Sequence, residues 1–155
     1  MRSIGVEFGR RRKLGFPSES HRVLIYLDSV IVIYFVDGLA PFQSRAQTHL
    51  ANLAASGALF AVSDLTSLEC LVKPYRNNDA AIIAEFRAFM ARSTTVRLPI
   101  DAAVYERATR IRANLNYKLA DVLHLAAAVE GKCGRFLTHD LRLNRYTDIP
   151  IEVLP

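Results

Sequence analysis

The sequence is poor in cysteine: Cys70 and Cys133 are its only two in 155 residues, and neither has a near partner at metal-ligand spacing. A disulfide framework needs more cysteines in a chain this small, so a reducing compartment is expected. Cys70 falls inside an apolar helical pattern, where a free cysteine is ordinarily a small buried hydrophobe. Long hydrophobic runs are also missing. A membrane span needs roughly 18 apolar residues, and the best candidate, Val23 to Val36, is shorter and interrupted by Asp28. No secretory signal is visible. A soluble, cytoplasmic protein with no membrane partner is therefore expected. There is no Gly-rich loop ending in Lys-Ser/Thr, which excludes a P-loop nucleotidase. Neither an internal repeat nor a low-complexity linker is present. No interleaving of aromatic and basic residues suggests a stacking platform for single-stranded nucleic acid.

Charge is unevenly distributed. The net charge is +5 with a pI near 9.5. Residues 1–22 hold Arg2, Arg10, Arg11, Arg12, Lys13 and Arg22 against Glu7 and Glu19, whereas the remainder is close to neutral. The high pI thus describes mainly a basic N-terminal extension over residues 1–22, broken by Gly5, Gly9, Gly15 and Pro17 and expected to be flexible. It is weak evidence that the folded part, residues 23–155, binds nucleic acid.

What is present is alternation. Hydrophobic residues make up 51% of the chain, enough for a real core. Val23–Leu27 is a short apolar run of the kind buried on both faces of a sheet, and Ser29–Val36 continues it as a helix. Pro41 opens a helical stretch ending at Ser56-Gly57. Leu59–Val62 reads as a second strand. Ser63 or Asp64 can cap a helix expected to stop at Pro74. Asn77, Asn78 and Asp79 offer caps for a helix through Ala91. Thr94–Leu98 is a third strand, and Asp101 caps the next helix. Leu119–Glu130 is a strongly apolar helix, Arg135–Thr138 a fourth strand, and Ile151–Val153 a candidate fifth. Strands alternating with helices predict an α/β fold with a central, mainly parallel sheet of four to five strands flanked by helices. In such sheets ligands bind beyond the carboxyl ends of the strands.

Acids fall at that edge. Asp28 directly follows the first strand and Asp140 the fourth. Glu69 lies on the helix after strand two, and Asp121 near the start of the apolar helix. Each also has an ordinary reading: Asp28 as a helix cap, Glu69 as a surface acid, Asp121 as a first-turn acid favoured by the helix dipole, Asp140 as a turn residue. A carboxylate among apolar neighbours is costly unless paired, protonated or metal-bound. Oxygen-only ligands select hard cations, Mg²⁺ or Mn²⁺.

The local sequences narrow this further. Leu27-Asp28-Ser29 leading into Val30–Tyr34 resembles the first motif of PIN-domain nucleases. Ser67-Leu68-Glu69-Cys70-Leu71 resembles the second, Leu119-Ala120-Asp121-Val122-Leu123-His124 the third, and Phe136-Leu137-Thr138-His139-Asp140 the fourth. The order and spacing suit that family over residues 23–154, and the size resembles the VapC-type toxins of toxin–antitoxin pairs. The resemblance implies a PIN fold and a Mg²⁺-dependent endoribonuclease, with Mn²⁺ as a possible substitute. It also implies a homodimer inhibited by a small cognate antitoxin. Carried over by position, Asp28 and Asp121 are the principal metal ligands and the catalytic set is completed by Glu69 and Asp140. Ser29 and Thr138 would orient ligands or water through their hydroxyls. Three positions depart from the family pattern: the 22-residue lead, Val30 where a small polar residue is common, and His139 where Asn is frequent. His124 is read as a packed core histidine, and Arg142 and Arg145 as candidates for phosphate contact. The rivals are a PIN-like module that binds RNA or protein without cutting, a housekeeping RNA-processing nuclease, and a DNA nuclease of related fold. A haloacid-type phosphatase would need an Asp at Val30, and a receiver domain a late Lys after a strand; neither is present.

Overall fold

In a computed structural model, residues 22–155 are described; the basic extension over residues 1–22 lies outside the described residues except for Arg22. The first strand, β1 (Leu24–Leu27), sends Ile25 and Leu27 into one buried cluster and Tyr26 into another. That is the behaviour expected of an apolar strand covered on both faces. After Asp28 the chain enters α1 (Ser29–Asp37) and α2 (Phe42–Ala55), then β2 (Leu59–Ser63), α3 (Asp64–Arg76), α4 (Ala80–Met90) and β3 (Thr95–Leu98). It continues through α5 (Ala102–Leu115), α6 (Leu119–Glu130), β4 (Arg135–Thr138), a 3₁₀ turn (Leu141–Arg145) and β5 (Ile151–Val153).

The five strands form one parallel sheet in the order β3-β2-β1-β4-β5. Helices α1 to α4 supply one apolar layer, against Ile25, Leu27, Phe60, Val62 and Leu137. Helices α5 and α6 supply the other, against Tyr26, Ala61 and Phe136. Tyr26 and Phe136 are register partners, and their rings stack at 5.5 Å. No helix among the described residues is long and apolar enough to cross a membrane.

Helix starts follow local chemistry. The Asp79 carboxylate accepts from the Ile82 N–H at 3.0 Å, and that of Asp101 from the Val104 N–H at 3.1 Å. Of the two candidates at α3, Ser63 is the cap, in a reciprocal pair with Thr66. One boundary differs from expectation. Helix α3 does not stop at Pro74 but runs to Arg76, with Pro74 inside it and buried. Proline removes one bond of the ladder, but here only in the final turn, which is closed by Asn77 N–H donating to Lys73 O at 3.0 Å. Burial of the ring outweighs the lost bond.

Strand order reverses at β1. The chain steps outward from β1 to β2 and β3, then returns to pair β4 on the other side of β1. The carboxyl ends of β1 and β4 therefore flank a topological switch point, where open α/β sheets form their crevice.

Candidate functional site

Asp28 occupies the N-cap position of α1, yet its side chain makes no capping bond. It turns to the neighbouring strand instead. Thr138, the last residue of β4 and fully buried, donates from Oγ1 to Asp28 Oδ2 at 2.7 Å and accepts the Asp140 N–H at 3.1 Å. One hydroxyl thus ties together the acids that follow the two central strands. Burial raises the Asp28 carboxyl above its ordinary range; His124 and Thr138 oppose the shift and Glu69 adds to it.

Asp121 sits in the first turn of α6, where the helix dipole favours negative charge. Its carboxyl is nonetheless raised, first by burial and then by the carboxylates of Asp28 and Asp140. Among the described residues it has no side-chain hydrogen-bond donor.

Glu69 lies in the middle of α3 and is no ordinary surface acid. Its Oε2 accepts the Ser29 hydroxyl and lies 2.7 Å from His124 Nε2. Burial pushes this carboxyl up, but the bonds from His124 and Ser29 outweigh it, so the net shift is downward. His124 is 1% exposed, and its Nδ1 is 2.8 Å from the Tyr26 hydroxyl, itself 2.9 Å from Ser63 Oγ. A continuous line of hydrogen bonds, Ser63–Tyr26–His124–Glu69–Ser29, therefore runs beneath the sheet edge. The Tyr26 link was not legible beforehand; its signal is a lone phenol in an aliphatic strand, on the face that α6 covers.

Asp140 does serve as a turn residue, its Oδ1 accepting the Arg142 N–H at 3.0 Å. It is also gripped by the Arg142 guanidinium, with Nε at 2.9 and 3.0 Å from its two oxygens and Nη2 on Oδ2. That contact holds the Asp140 carboxyl below the usual range. Arg142, a candidate for phosphate, thus neutralises an acid of its own chain, because a two-residue offset on the 3₁₀ turn brings the groups together. Arg145 lies over the Tyr117 ring at 6.0 Å.

Asp28, Glu69, Asp121 and Asp140 line one cavity of about 650 Å³, together with Ser29, His139 and an apolar wall of Val30, Ile33, Leu68 and Val72. Sharing a cavity is not the same as sharing an ion. Among the described residues, no three His, Cys, Asp or Glu groups come together as a metal-holding set. Glu69 is drawn to Ser29 and His124, and Asp140 to Arg142. Asp28 and Asp121 are left without a cationic side chain bonded to either, and the Asp28 charge weighs on Asp121. Such an oxygen-only pair fits a hard divalent cation, since Mg²⁺ is typically held by one or two carboxylates with water filling the remaining positions. Neither cysteine competes: burial pushes both thiols up to about 12. A second groove of about 560 Å³, between α5 and residues 145–148, contains Arg107 and Arg110, but these pair with Glu130 and Glu106.

A parallel α/β sheet with acids at its switch point defines a class. The PIN domain family profile matches residues 25–149, and the chain belongs to that family. No curated protein matches it in sequence. Among solved structures it is similar to VapBC2 from Rickettsia felis bound to a DNA fragment from its promoter, with TM-score 0.71 and 14% identity, covering 85% of this chain and 99% of that one. It is similar to a toxin–antitoxin complex from Klebsiella pneumoniae, with TM-score 0.62 and 23% identity over 81% of this chain and 94% of the other. A third match is VapC20 of Mycobacterium tuberculosis, a sarcin–ricin-loop-cleaving toxin, with TM-score 0.63 and 13% identity over 81% and 98%. At these identities the likeness establishes the fold.

Proposed function

We propose that this protein is a Mg²⁺-dependent endoribonuclease that acts as the toxin of a toxin–antitoxin pair. The observation that carries the proposal is the Asp28–Asp121 pair: two carboxyls raised by burial and by neighbouring charge, in one cavity at the switch point, with no cationic side chain bonded to either. Asp28 and Asp121 would hold the ion, with Glu69 and Asp140 completing the acidic set and Ser29 and Thr138 fixing Glu69 and Asp28. Bound there, Mg²⁺, or Mn²⁺ in its place, would supply a Lewis acid for the phosphoryl group and lower the pKa of water. The chain's own part is orientation. Thr138 fixes one oxygen of Asp28, and His124 with Ser29 fixes one oxygen of Glu69, so these carboxylates meet substrate without reorganising.

The toxin assignment is supported by the structural neighbours, which are toxin–antitoxin assemblies and a sarcin–ricin-loop-cleaving toxin. By that analogy the partners are an RNA substrate, a small antitoxin and a second copy of the chain, in the cytoplasm. The test is cleavage of labelled mixed RNA by the purified protein in Mg²⁺, Mn²⁺ or EDTA, beside Asp121→Asn. Metal-dependent cutting that the variant lacks supports the nuclease. Expression alone should arrest growth, and co-expression of an adjacent small reading frame should relieve it. Harmless expression with full ribonuclease activity would leave a processing nuclease. One alternative has an observation in its favour. The capture of Glu69 by His124 and of Asp140 by Arg142 suits a scaffold that binds RNA or protein without cutting, and absence of cleavage in inhibitor-free protein would select it.

A further inference from the structure

The cavity poses a problem for the substrate proposed above. Phosphate oxygens are acceptors, and the four acids that line the cavity are acceptors too. A cation can bridge them, but any further hold on the phosphodiester needs a donor. The Ser29 hydroxyl is bonded to Glu69. The Arg142 guanidinium lies on Asp140. Of the side chains that line the cavity, this leaves His139 as the one with an N–H to offer.

His139 is also held in a fixed orientation. Its Nδ1 is 3.1 Å from the Tyr34 hydroxyl. Its ring meets those of Tyr34 and Phe42 edge-on, with centroids 5.3 and 5.4 Å away, and those two rings stack on each other at 4.8 Å. Nε2 has no protein partner among the described residues. With the Tyr34 hydroxyl donating to Nδ1, the ring proton sits on Nε2. The histidine is thus braced by α1 and α2, and it is one of the residues that line the cavity.

We propose that His139 is a substrate-contacting residue, donating from Nε2 to an oxygen of the RNA phosphodiester at the acid cavity, with Tyr34 and Phe42 holding its ring in place. This rests on the ribonuclease assignment, and the experiment separates the two. His139→Phe keeps an aromatic ring against Tyr34 and Phe42 but has no donor. His139→Gln supplies an amide nitrogen close to the Nε2 position. Steady-state cleavage of a labelled oligoribonucleotide is measured for each, together with Mn²⁺ affinity by calorimetry and thermal stability. Loss of a hydrogen bond to a charged oxygen corresponds to about 10- to 100-fold. The expected result is a loss of that order in kcat/KM for His139→Phe, carried largely by KM, with Mn²⁺ affinity and melting temperature held and most of the loss recovered in His139→Gln. Unchanged kinetics in His139→Phe, or equal impairment of both variants, overturns the proposal. Should the parent protein cut nothing, the ribonuclease assignment fails on its own. Fluorescence anisotropy with the same oligoribonucleotide then decides: weaker binding by His139→Phe upholds the contact, and equal or absent binding overturns it.

Discussion

Thr138→Val removes one oxygen and little else, so its effect can be worked from two hydrogen bonds. The Thr138 hydroxyl donates to the Asp28 carboxylate at 2.7 Å and accepts the Asp140 N–H at 3.1 Å, at a fully buried position. A bond to a charged group contributes about 1.5–3 kcal/mol, and an orphaned polar group costs about 1–3 kcal/mol. Asp140 is partly open and water can reach it, so about 2–5 kcal/mol in all is expected, against a total stability of about 5–15 kcal/mol. The effect depends on pH. Burial raises the Asp28 carboxyl above its ordinary 3.8, so the native state holds this proton more tightly than the unfolded chain. Stability therefore falls as pH climbs from the unfolded value through the folded one. Thr138 opposes that rise, so without it the folded value moves higher and more stability is lost over the interval. Urea unfolding in EDTA measures this: the midpoint should drop with unchanged slope, more at pH 7.5 than at pH 4, while Thr138→Ser retains most of the stability. A loss below about 1 kcal/mol at pH 7.5, or one equally large at pH 4, would refute the assignment of this hydroxyl to the Asp28 carboxylate.

Asp121→Asn is expected to raise the melting temperature in EDTA at pH 7.5, because burial and the charges of Asp28 and Asp140 make its ionised form unfavourable in the fold. The gain should fade towards pH 4 and the stabilisation by added Mg²⁺ should vanish, both read by calorimetry; an equal gain at both pH values contradicts the electrostatic origin. His124→Leu leaves the Tyr26 hydroxyl and the Glu69 carboxylate each short of a partner, with an expected loss of about 2–5 kcal/mol in urea unfolding. Combined with Glu69→Gln the losses should be less than additive, and strict additivity would deny the coupling. Gly131→Ala would bring a Cβ to 2.4 Å from Leu98 Cδ1 and 2.9 Å from the Ala127 carbonyl oxygen, and is expected to cost about 1–3 kcal/mol by overpacking; an unchanged melting temperature would mean that the end of α6 yields freely.

Features decided within a few residues were legible in the sequence. Asp79 and Asp101 cap because an Asx side chain reaches a backbone N–H three residues on, and that geometry is local. The apolar run through β1 announced a strand covered on both sides, and with it a parallel sheet. Pro74 was misleading because its cost is local, whereas the burial that offsets it comes from the packing of the helix. Tyr26 and His124 are 98 residues apart in sequence and 2.8 Å apart in space; no periodicity encodes such a pairing.

The same limit explains why four acids that look alike in sequence divide in the structure. Each follows or sits beside an apolar segment at one sheet edge, so pattern alone assigns them a common fate. What separates them is which donors the fold delivers. The 3₁₀ turn brings Arg142 to Asp140, and α1 with α6 brings Ser29 and His124 to Glu69. Asp28 receives a neutral hydroxyl, and Asp121 no side-chain donor among the described residues. A partnered carboxylate is lowered and an unpartnered buried one is raised, which is the division observed: Glu69 and Asp140 down, Asp28 and Asp121 up. The raised pair is where a divalent cation relieves the most repulsion. Removing either of its members should therefore abolish the response of stability to Mg²⁺. Removing Glu69 or Asp140, whose carboxylates already have hydrogen-bond donors from the protein, should only weaken it.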